Sequence, residues 1–259
     1  MGMNSVLGLS GLGLRAASDL FGAVATNVAN VSTPGFGVRQ AATASGGSIL
    51  VRPKNVPFSG QVVVPGFAYN QGPYLAQDVP TFGGAVSASP VDTNLAIQGS
   101  GFFMVTDGQG QTLYTRAGQF TQDAKGNLVL PNGMKLVPPV LLPADGAYRI
   151  NSQGQVFSTA KGAKAQIGQI QIAAFANPQG LVNVGNNLYQ ASANSGPAVV
   201  QTPEKNGAGT IQSGALNDSN VSLVDAYATM IQAQAMYEMN AKVMTVAQSL
   251  NRSVDTLNA

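Results

Sequence analysis

The sequence predicts an α+β fold: long N- and C-terminal helices paired as a coiled-coil-like domain, a central and mostly antiparallel β domain, and extended connecting segments. Three observations predict it. Near both ends of the chain, apolar residues recur at spacings of three and four, as on a helix that packs against another. In the middle the apolar period falls to two and turn residues become frequent. Stretches rich in Ala, Gly, Ser and Pro separate these parts.

These composition changes also predict the domain boundaries. We expect a discontinuous helical domain at 1–35 and 219–259, a β domain at 91–190, and extended connecting segments at 36–90 and 191–218.

The N-terminal segment has the apolar pattern of a packed helix but a poor helical composition. Its seam consists of Leu7, Leu14, Ala17, Phe21, Val24, Val28 and Val31. Each glycine inside the segment costs about 1 kcal/mol relative to alanine. Thr33-Pro34-Gly35 ends the helix, because proline cannot continue the helical hydrogen-bond ladder.

The C-terminal segment predicts a second helix of roughly 36 residues, about 54 Å long. Ser222 and Asp225 have the spacing of an N-terminal cap. One apolar stripe follows, formed by Val224, Ala228, Ile231, Ala235, Met239, Val243, Val246, Leu250, Val254 and Leu257. A second apolar line lies beside it, formed by Tyr227, Met230, Tyr237 and Met244.

Two apolar lines on each helix require neighbours on at least two sides, and one chain supplies only one partner helix. Ordering a backbone residue costs about 1–2 kcal/mol, whereas burying a large aliphatic side chain contributes about 1.5–3 kcal/mol. We therefore expect other copies to cover the remaining faces, and both termini to be mobile in a monomer and ordered on assembly. An intramolecular helical hairpin on a globular head and a dimeric coiled coil are the alternatives.

Several short strands with turn signals predict the β domain. Leu95 to Ile97 and Phe102 to Val105 flank a Gly-Ser-Gly turn, and Asn132-Gly133 is the strongest short hairpin signal. Ile167 to Phe175 is expected to be one strand. Residues 41–90 and 191–213 have few alternating runs and are expected to be extended, with one or two strands.

The composition excludes most enzymatic chemistry. The chain has no His and no Cys, so Ser-His-Asp, Cys-His and His-metal sites cannot be built. Gly11 to Ala16 matches the dinucleotide fingerprint but lacks the acidic residue about twenty positions on. With 13 basic and 11 acidic residues and no basic run, nucleic-acid binding is not expected. We expect no enzymatic activity, cofactor, metal or small-molecule substrate.

The N-terminus is not expected to be a cleaved signal peptide. Nothing basic precedes Leu7, and Arg15 and Asp19 lie where the apolar region would have to be. No apolar run is long enough to span a membrane.

Three blocks of sequence resemble the bacterial flagellar rod and hook family. Residues 25–36 (ATNVANVSTPGF) are similar to its N-terminal signature, with Asn27, Asn30, Thr33, Pro34, Gly35 and Phe36 in matching places. Residues 92–105 and 113–130 resemble the core of its β domain, and 219–257 its C-terminal helix. Thr26 and Gly37 depart from the usual pattern.

The resemblance implies a structural subunit of the flagellar basal body, in the periplasm, exported without a cleaved signal by the flagellar type III apparatus. It implies a helical homopolymer that transmits torque as a hollow drive shaft, with the terminal helices in the inner layers. The implied partners are proximal rod proteins, hook protein, surrounding ring proteins and the export apparatus.

Length and residues 187–189 and 206–209 favour the distal-rod branch. A proximal rod or hook-type subunit, or a secreted adhesin or scaffold, remains the alternative. We further expect residues 41–75 to mediate contacts that keep the rod straight and stiff.

Overall fold

The computed structural model describes residues 2–45, 48–50, 57–58, 62–63, 68–70, 73–143, 146, 148–159 and 165–257. The chain forms two compact units. The first comprises Met1–Val28, Arg39–Asp78 and Leu223–Ala259, and the second comprises Ala29–Val38 and Val79–Ser222.

One long helix stands near each end of the chain. Helix α1 spans Gly2–Ala29 and is continuous through its glycines. Helix α2 spans Leu223–Leu257, 35 residues with neither Gly nor Pro, and Asp225 lies in its first turn, where the helix dipole favours a carboxylate. The two predicted terminal helices are therefore confirmed.

Between the helices, the described residues form twenty-two strands and one 3₁₀ turn at Pro178–Gly180. The strands are β1 (Val38–Ser45), β2 (Ser48–Leu50), β3 (Pro57–Phe58), β4 (Val62–Val63), β5 (Ala68–Asn70), β6 (Pro73–Thr81), β7 (Val86–Ala88), β8 (Leu95–Gln98), β9 (Phe102–Thr106), β10 (Thr112–Thr115), β11 (Thr121–Gln122), β12 (Leu128–Val129), β13 (Lys135–Val137), β14 (Tyr148–Ile150), β15 (Gln155–Ser158), β16 (Ala165–Gln169), β17 (Ile172–Ala174), β18 (Val182–Gly185), β19 (Leu188–Gln190), β20 (Val199–Gln201), β21 (Thr210–Ser213) and β22 (Ala215–Asn217).

The β domain is built around one nine-stranded sheet. Its order is β11-β12-β13-β9-β10-β19-β18, and β17 pairs with β9 and with β20. The pairs within it are antiparallel, as the short turns predict. Strands β14-β15-β16 form a smaller sheet, while β8 pairs with β21 and β7 with β22. The α+β class with a mostly antiparallel central domain is confirmed.

Strand β9 is buried on both faces, which explains its uninterrupted apolar sequence. Phe103 and Val105 belong to the larger core, with Leu95, Ile97 and Phe120 among its other members. Phe102 and Met104 point to a second cluster that includes Tyr114, Phe175 and Tyr189. A strand with two covered faces has no polar alternation.

Two expectations about the strands need correction. The described parts of residues 41–90 are not one or two strands on an extended chain, because β1 pairs with β6, β2 with β5 and β3 with β4 in nested order, the last two pairs being antiparallel. The region predicted as one strand over Ile167 to Phe175 is two, β16 and β17, in different sheets. Ile170 separates them because its side chain is fully buried and its N–H donates to the Gly154 carbonyl over 2.7 Å.

Neither described helix is long and apolar enough to cross a membrane. Among the described residues there is also no cluster of His, Cys, Asp or Glu that could hold a metal ion.

Candidate functional site

The predicted apolar stripe of α2 is exposed on the single chain. Val224, Ile231 and Met239 expose 78%, 66% and 65% of their surface. Val243, Val246, Leu250, Ala228 and Ala235 are also exposed. The side chains of Val254 and Leu257 lie outside the described residues. The stripe therefore follows one side of the helix over at least seven turns, at 3.6 residues a turn.

The opposite side of α2 is buried and consists of small or flexible side chains. Ala226, Ala233 and Ala247 are buried. Met230, Met236, Asn240 and Met244 lie partly buried between them. From the second predicted line, Tyr227 and Tyr237 are instead exposed.

On α1 the burial is rotated slightly from the predicted seam. Ala17 and Val24 are buried as part of it, Leu7, Leu14 and Val28 are partly buried, and Phe21 is 40% exposed. Val31, predicted as the last seam residue, lies beyond the helix, which ends at Ala29 and so before Thr33-Pro34-Gly35. Among residues 7–29 the other buried positions are Ser10, Gly13, Ala16, Ala23 and Asn27. Small residues on the buried side permit a close approach of the backbone to its neighbours.

Helices α1 and α2 meet at Gly13. A Cβ built on Gly13 would collide with the side-chain amide of Asn240, so a larger residue here would require that amide to move. Asn240 is held in place because its Nδ2 donates to the Met236 carbonyl at 2.7 Å. Farther along, an open cleft of about 400 Å³ is lined by Ala17, Ser18 and Phe21 and by Ala233, Gln234, Tyr237 and Glu238. Near this contact the buried side chains are small, and the large aliphatic ones of α2 lie exposed.

An exposed apolar surface of this length is unusual for a monomeric protein. Burying a large aliphatic side chain contributes about 1.5–3 kcal/mol, so stripe residues such as Ile231 and Met239 can contribute several kcal/mol to an association. Few charges interrupt α2, since only Asp225, Glu238, Lys242, Arg252 and Asp255 occur in it. The surface is suited to packing against other apolar helices.

Asn27 holds the end of α1 against strand β1. Its Nδ2 donates to the Arg39 carbonyl and its Oδ1 accepts from the Arg39 N–H, both at 2.8 Å. The buried side chain amide thus hydrogen-bonds as a neighbouring strand would.

The remaining signature residues form a turn that packs on the β domain. The Thr33 N–H and hydroxyl donate to Asn30, at 3.0 and 3.1 Å. The Pro34 carbonyl accepts from Asn187 Nδ2 at 3.0 Å. Gly35 has φ of 69° and lies against the backbone of Arg116, where a Cβ would not fit. Phe36 is buried. The signature therefore specifies how the chain leaves α1.

Sequence analysis missed the asparagines that precede α2. Asn217 is buried, and its amide exchanges two 2.8 Å hydrogen bonds with the backbone of Ile97. Asn220 accepts from the Val38 N–H and donates to the Thr81 carbonyl. The sequence feature that could have indicated this role is the position of Asn217 at the end of a strand, where asparagine is disfavoured unless its side chain hydrogen-bonds locally.

Arg116 was also missed as an individual residue. It is 7% exposed, its Nε donates to the Gly101 carbonyl at 3.0 Å and its Nη2 donates to the Gly99 carbonyl. The guanidinium carbon lies 5.8 Å from the Phe102 ring centroid. Burial lowers the pKa of this arginine because water no longer solvates its charge.

Comparison with known proteins agrees with this arrangement. The family described as flagellar hook protein FlgE/F/G D1 domain matches residues 96–158, within the β domain. The family described as flagellar basal body rod FlgEFG protein C-terminal matches residues 212–257, which include α2. The fold and its terminal helix therefore define an axial protein of the flagellar hook and rod class.

Relatives matched over nearly the whole chain are rod proteins. The flagellar basal-body rod protein FlgG of Agrobacterium fabrum is 33% identical over 254 residues, covering 94% of this chain and 95% of the relative. FlgG of Borreliella burgdorferi is 30% identical over 248 residues, covering 92% of each. The flagellar hook protein FlgE of Escherichia coli is 39% identical over only 111 residues, 42% of this chain and 28% of the hook protein. The chain belongs to the FlgG family of flagellar basal-body rod proteins and is a structural subunit of the rod.

Proposed function

We propose that the chain polymerises into the distal part of the rod, a hollow helical drive shaft that transmits motor torque across the periplasm to the hook. The exposed apolar stripe of α2 carries this proposal. A surface that is uncovered in one chain and regular over at least seven turns is suited to burial against helices of neighbouring copies. When different patches meet, the contact repeats as an open helix instead of closing into a dimer.

In this assembly α1 and α2 form a coiled-coil-like inner domain. The contact of Gly13 with Asn240 and the buried alanines of α2 support pairing of the helices. The assembly surface comprises the exposed stripe of α2 and the N-terminal seam residues that the single chain leaves incompletely buried, which are Leu7, Leu14, Phe21, Val28 and Val31. The signature turn directs the chain out of α1. Torsional stiffness follows from helices held on several sides.

The proposed partners are those of an axial subunit: further copies, proximal rod proteins, hook protein, surrounding ring proteins and the type III export apparatus. We propose that export proceeds without a cleaved signal and that the role is structural, not enzymatic. A proximal rod position is the alternative. The near-complete coverage of FlgG relatives, against 28% coverage of the hook protein, favours a rod over a hook position.

The test is a pair of substitutions in the stripe, Ile231→Ser with Met239→Ser. Because both side chains are exposed in the monomer, its melting temperature is expected to change little. Polymers seeded by a proximal rod protein are expected to disappear in sedimentation and in electron micrographs.

The matched control is Gln232→Ser with Gln234→Ser, which alters exposed polar positions of the same helix. This variant is expected to polymerise. Normal polymers from the stripe variant would contradict the proposal.

A further inference from the structure

A groove of about 820 Å³ opens on the β domain. Residues 81–86, 97–102 and 177–179 line it together with Arg116 and Gln212. At Gly83, which lines the groove, an added Cβ would meet no atom within 4 Å. The groove is therefore open to a side chain from outside.

Arg116 is the only charged residue among those that line the groove. A guanidinium has five N–H donors, and two of them bond the carbonyls of Gly101 and Gly99. Both acceptors are neutral, so the buried charge has no carboxylate partner among the described residues that line the groove. A buried charge without a counter-charge is costly, because the protein replaces only part of the lost hydration.

The remaining guanidinium donors of Arg116 suit an anionic acceptor. A carboxylate fits best, since the planar arginine fork pairs with two carboxylate oxygens at once.

We propose that this groove receives a carboxylate side chain of a second copy of the chain, paired with Arg116. The inference rests on the proposed polymerisation. In an open helical assembly, a groove on one copy meets a different surface of the next copy. Each copy has exposed carboxylates to offer, among them Asp92 and Glu204 of the β-domain unit. The contact would link the β domains of neighbouring copies.

The test uses opposite charges at one groove position, Gln98, which is exposed and lines the groove. In the full-length chain, Gln98→Glu places a carboxylate beside Arg116, satisfies its charge internally and repels the incoming carboxylate. The critical concentration for seeded polymerisation is expected to rise about tenfold, since like-charge contacts at interfaces are strongly unfavourable. Gln98→Lys is the matched control and is expected to polymerise as well as the unchanged chain or better.

Thermal melting of the two monomers shows whether either variant is misfolded. A photo-cross-linker at the exposed Ser100, which also lines the groove, provides a measurement that needs no stability assumption. It is expected to join two copies through a peptide that contains Asp or Glu.

Three results would contradict the groove inference, and they separate its failure from that of the proposed function. Suppose that the unchanged chain polymerises, that the critical concentrations of the two Gln98 variants agree within twofold, and that the cross-linker at Ser100 joins no two copies. The groove inference alone is then wrong. If sodium phosphate raises the melting temperature of the unchanged monomer but not that of Gln98→Glu, and polymerisation is unaffected, the groove is a site for a free anion. This result also contradicts the groove inference. If the unchanged chain forms no polymer on any seed, the proposed function fails and this inference fails with it.

Discussion

At the scale of single residues, asparagine amides connect segments that are distant in sequence. Asn27 and Asn217 each exchange a donor and an acceptor with one backbone residue, Arg39 and Ile97. Asn220 joins the backbone of Val38 to that of Thr81. A primary amide has the same donor and acceptor as a peptide group, so each side chain completes backbone hydrogen bonding where no strand is available.

Gly35 is the residue of the signature turn for which we predict the largest effect. Gly35→Ala forces a side chain into the left-handed region, which costs about 1–2 kcal/mol. The new Cβ also meets the backbone of Arg116, and such overpacking adds about 1–3 kcal/mol. Urea unfolding of the monomer measures the sum.

Gly133→Ala is the matched control, because Gly133 has φ of 84° but no atom within 4 Å of an added Cβ. This variant is expected to lose only the stability that corresponds to the left-handed backbone conformation. Equal losses in the two variants would show that the contact with Arg116 is unimportant.

At the scale of elements, α2 combines an apolar outer side with a buried side of alanines. Alanine burial contributes little per residue, and the large side chains that would stabilise the helix are exposed in the single chain. Its stability must therefore come largely from neighbours, as the composition of α1 with its glycines also requires.

We accordingly predict rapid amide exchange in residues 7–31 and 224–257 of a dilute monomer, and slow exchange in the same residues after polymerisation. Hydrogen exchange followed by mass spectrometry measures both states. The buried strand β9 serves as the internal reference, expected to be protected in both. Strong protection of the helices in the monomer would refute the idea that assembly orders them.

At the scale of the whole molecule, the described strands between residues 38 and 81 pair only with one another. Leu50 pairs with Ala68 and Phe58 with Val62, so the two registers share a centre near residue 60. The described strands form nested pairs, and we propose that contacts of residues 41–75 between copies keep the rod straight and stiff.

Replacing residues 51–67 with Asn-Gly tests this role. The change keeps the pair Leu50 and Ala68 and closes it with a favoured two-residue turn. Polymers are expected to form, because the α2 stripe is unchanged, but to be curved or flexible in electron micrographs. Ser59→Ala, which keeps the length, is the control. Straight, rigid rods from the shortened chain would count against the proposal.

Local patterns predicted most of the elements, and the failures have a common cause. Asn132-Gly133 predicted the turn between β12 and β13 because the dipeptide itself adopts the required backbone conformation. The strands of residues 38–81 were missed because their pairing depends on residues up to about forty positions away, not on an alternating pattern. Ile170 ends β16 for a similar reason: its burial and its bond to Gly154 come from distant chain.

By itself, the amino-acid sequence determined the two terminal helices, the antiparallel β domain and the flagellar rod and hook family, because helical periodicity, turn residues and the residue 25–36 signature are local properties. Only the tertiary structure decided that Ala226, Ala233 and Ala247 face inward on α2 while Ile231 and Met239 face outward. Both sides of that helix are apolar, so the hydrophobic pattern alone does not show which side is buried. The inward side is the one that includes Asn240, which lies against Gly13 of α1.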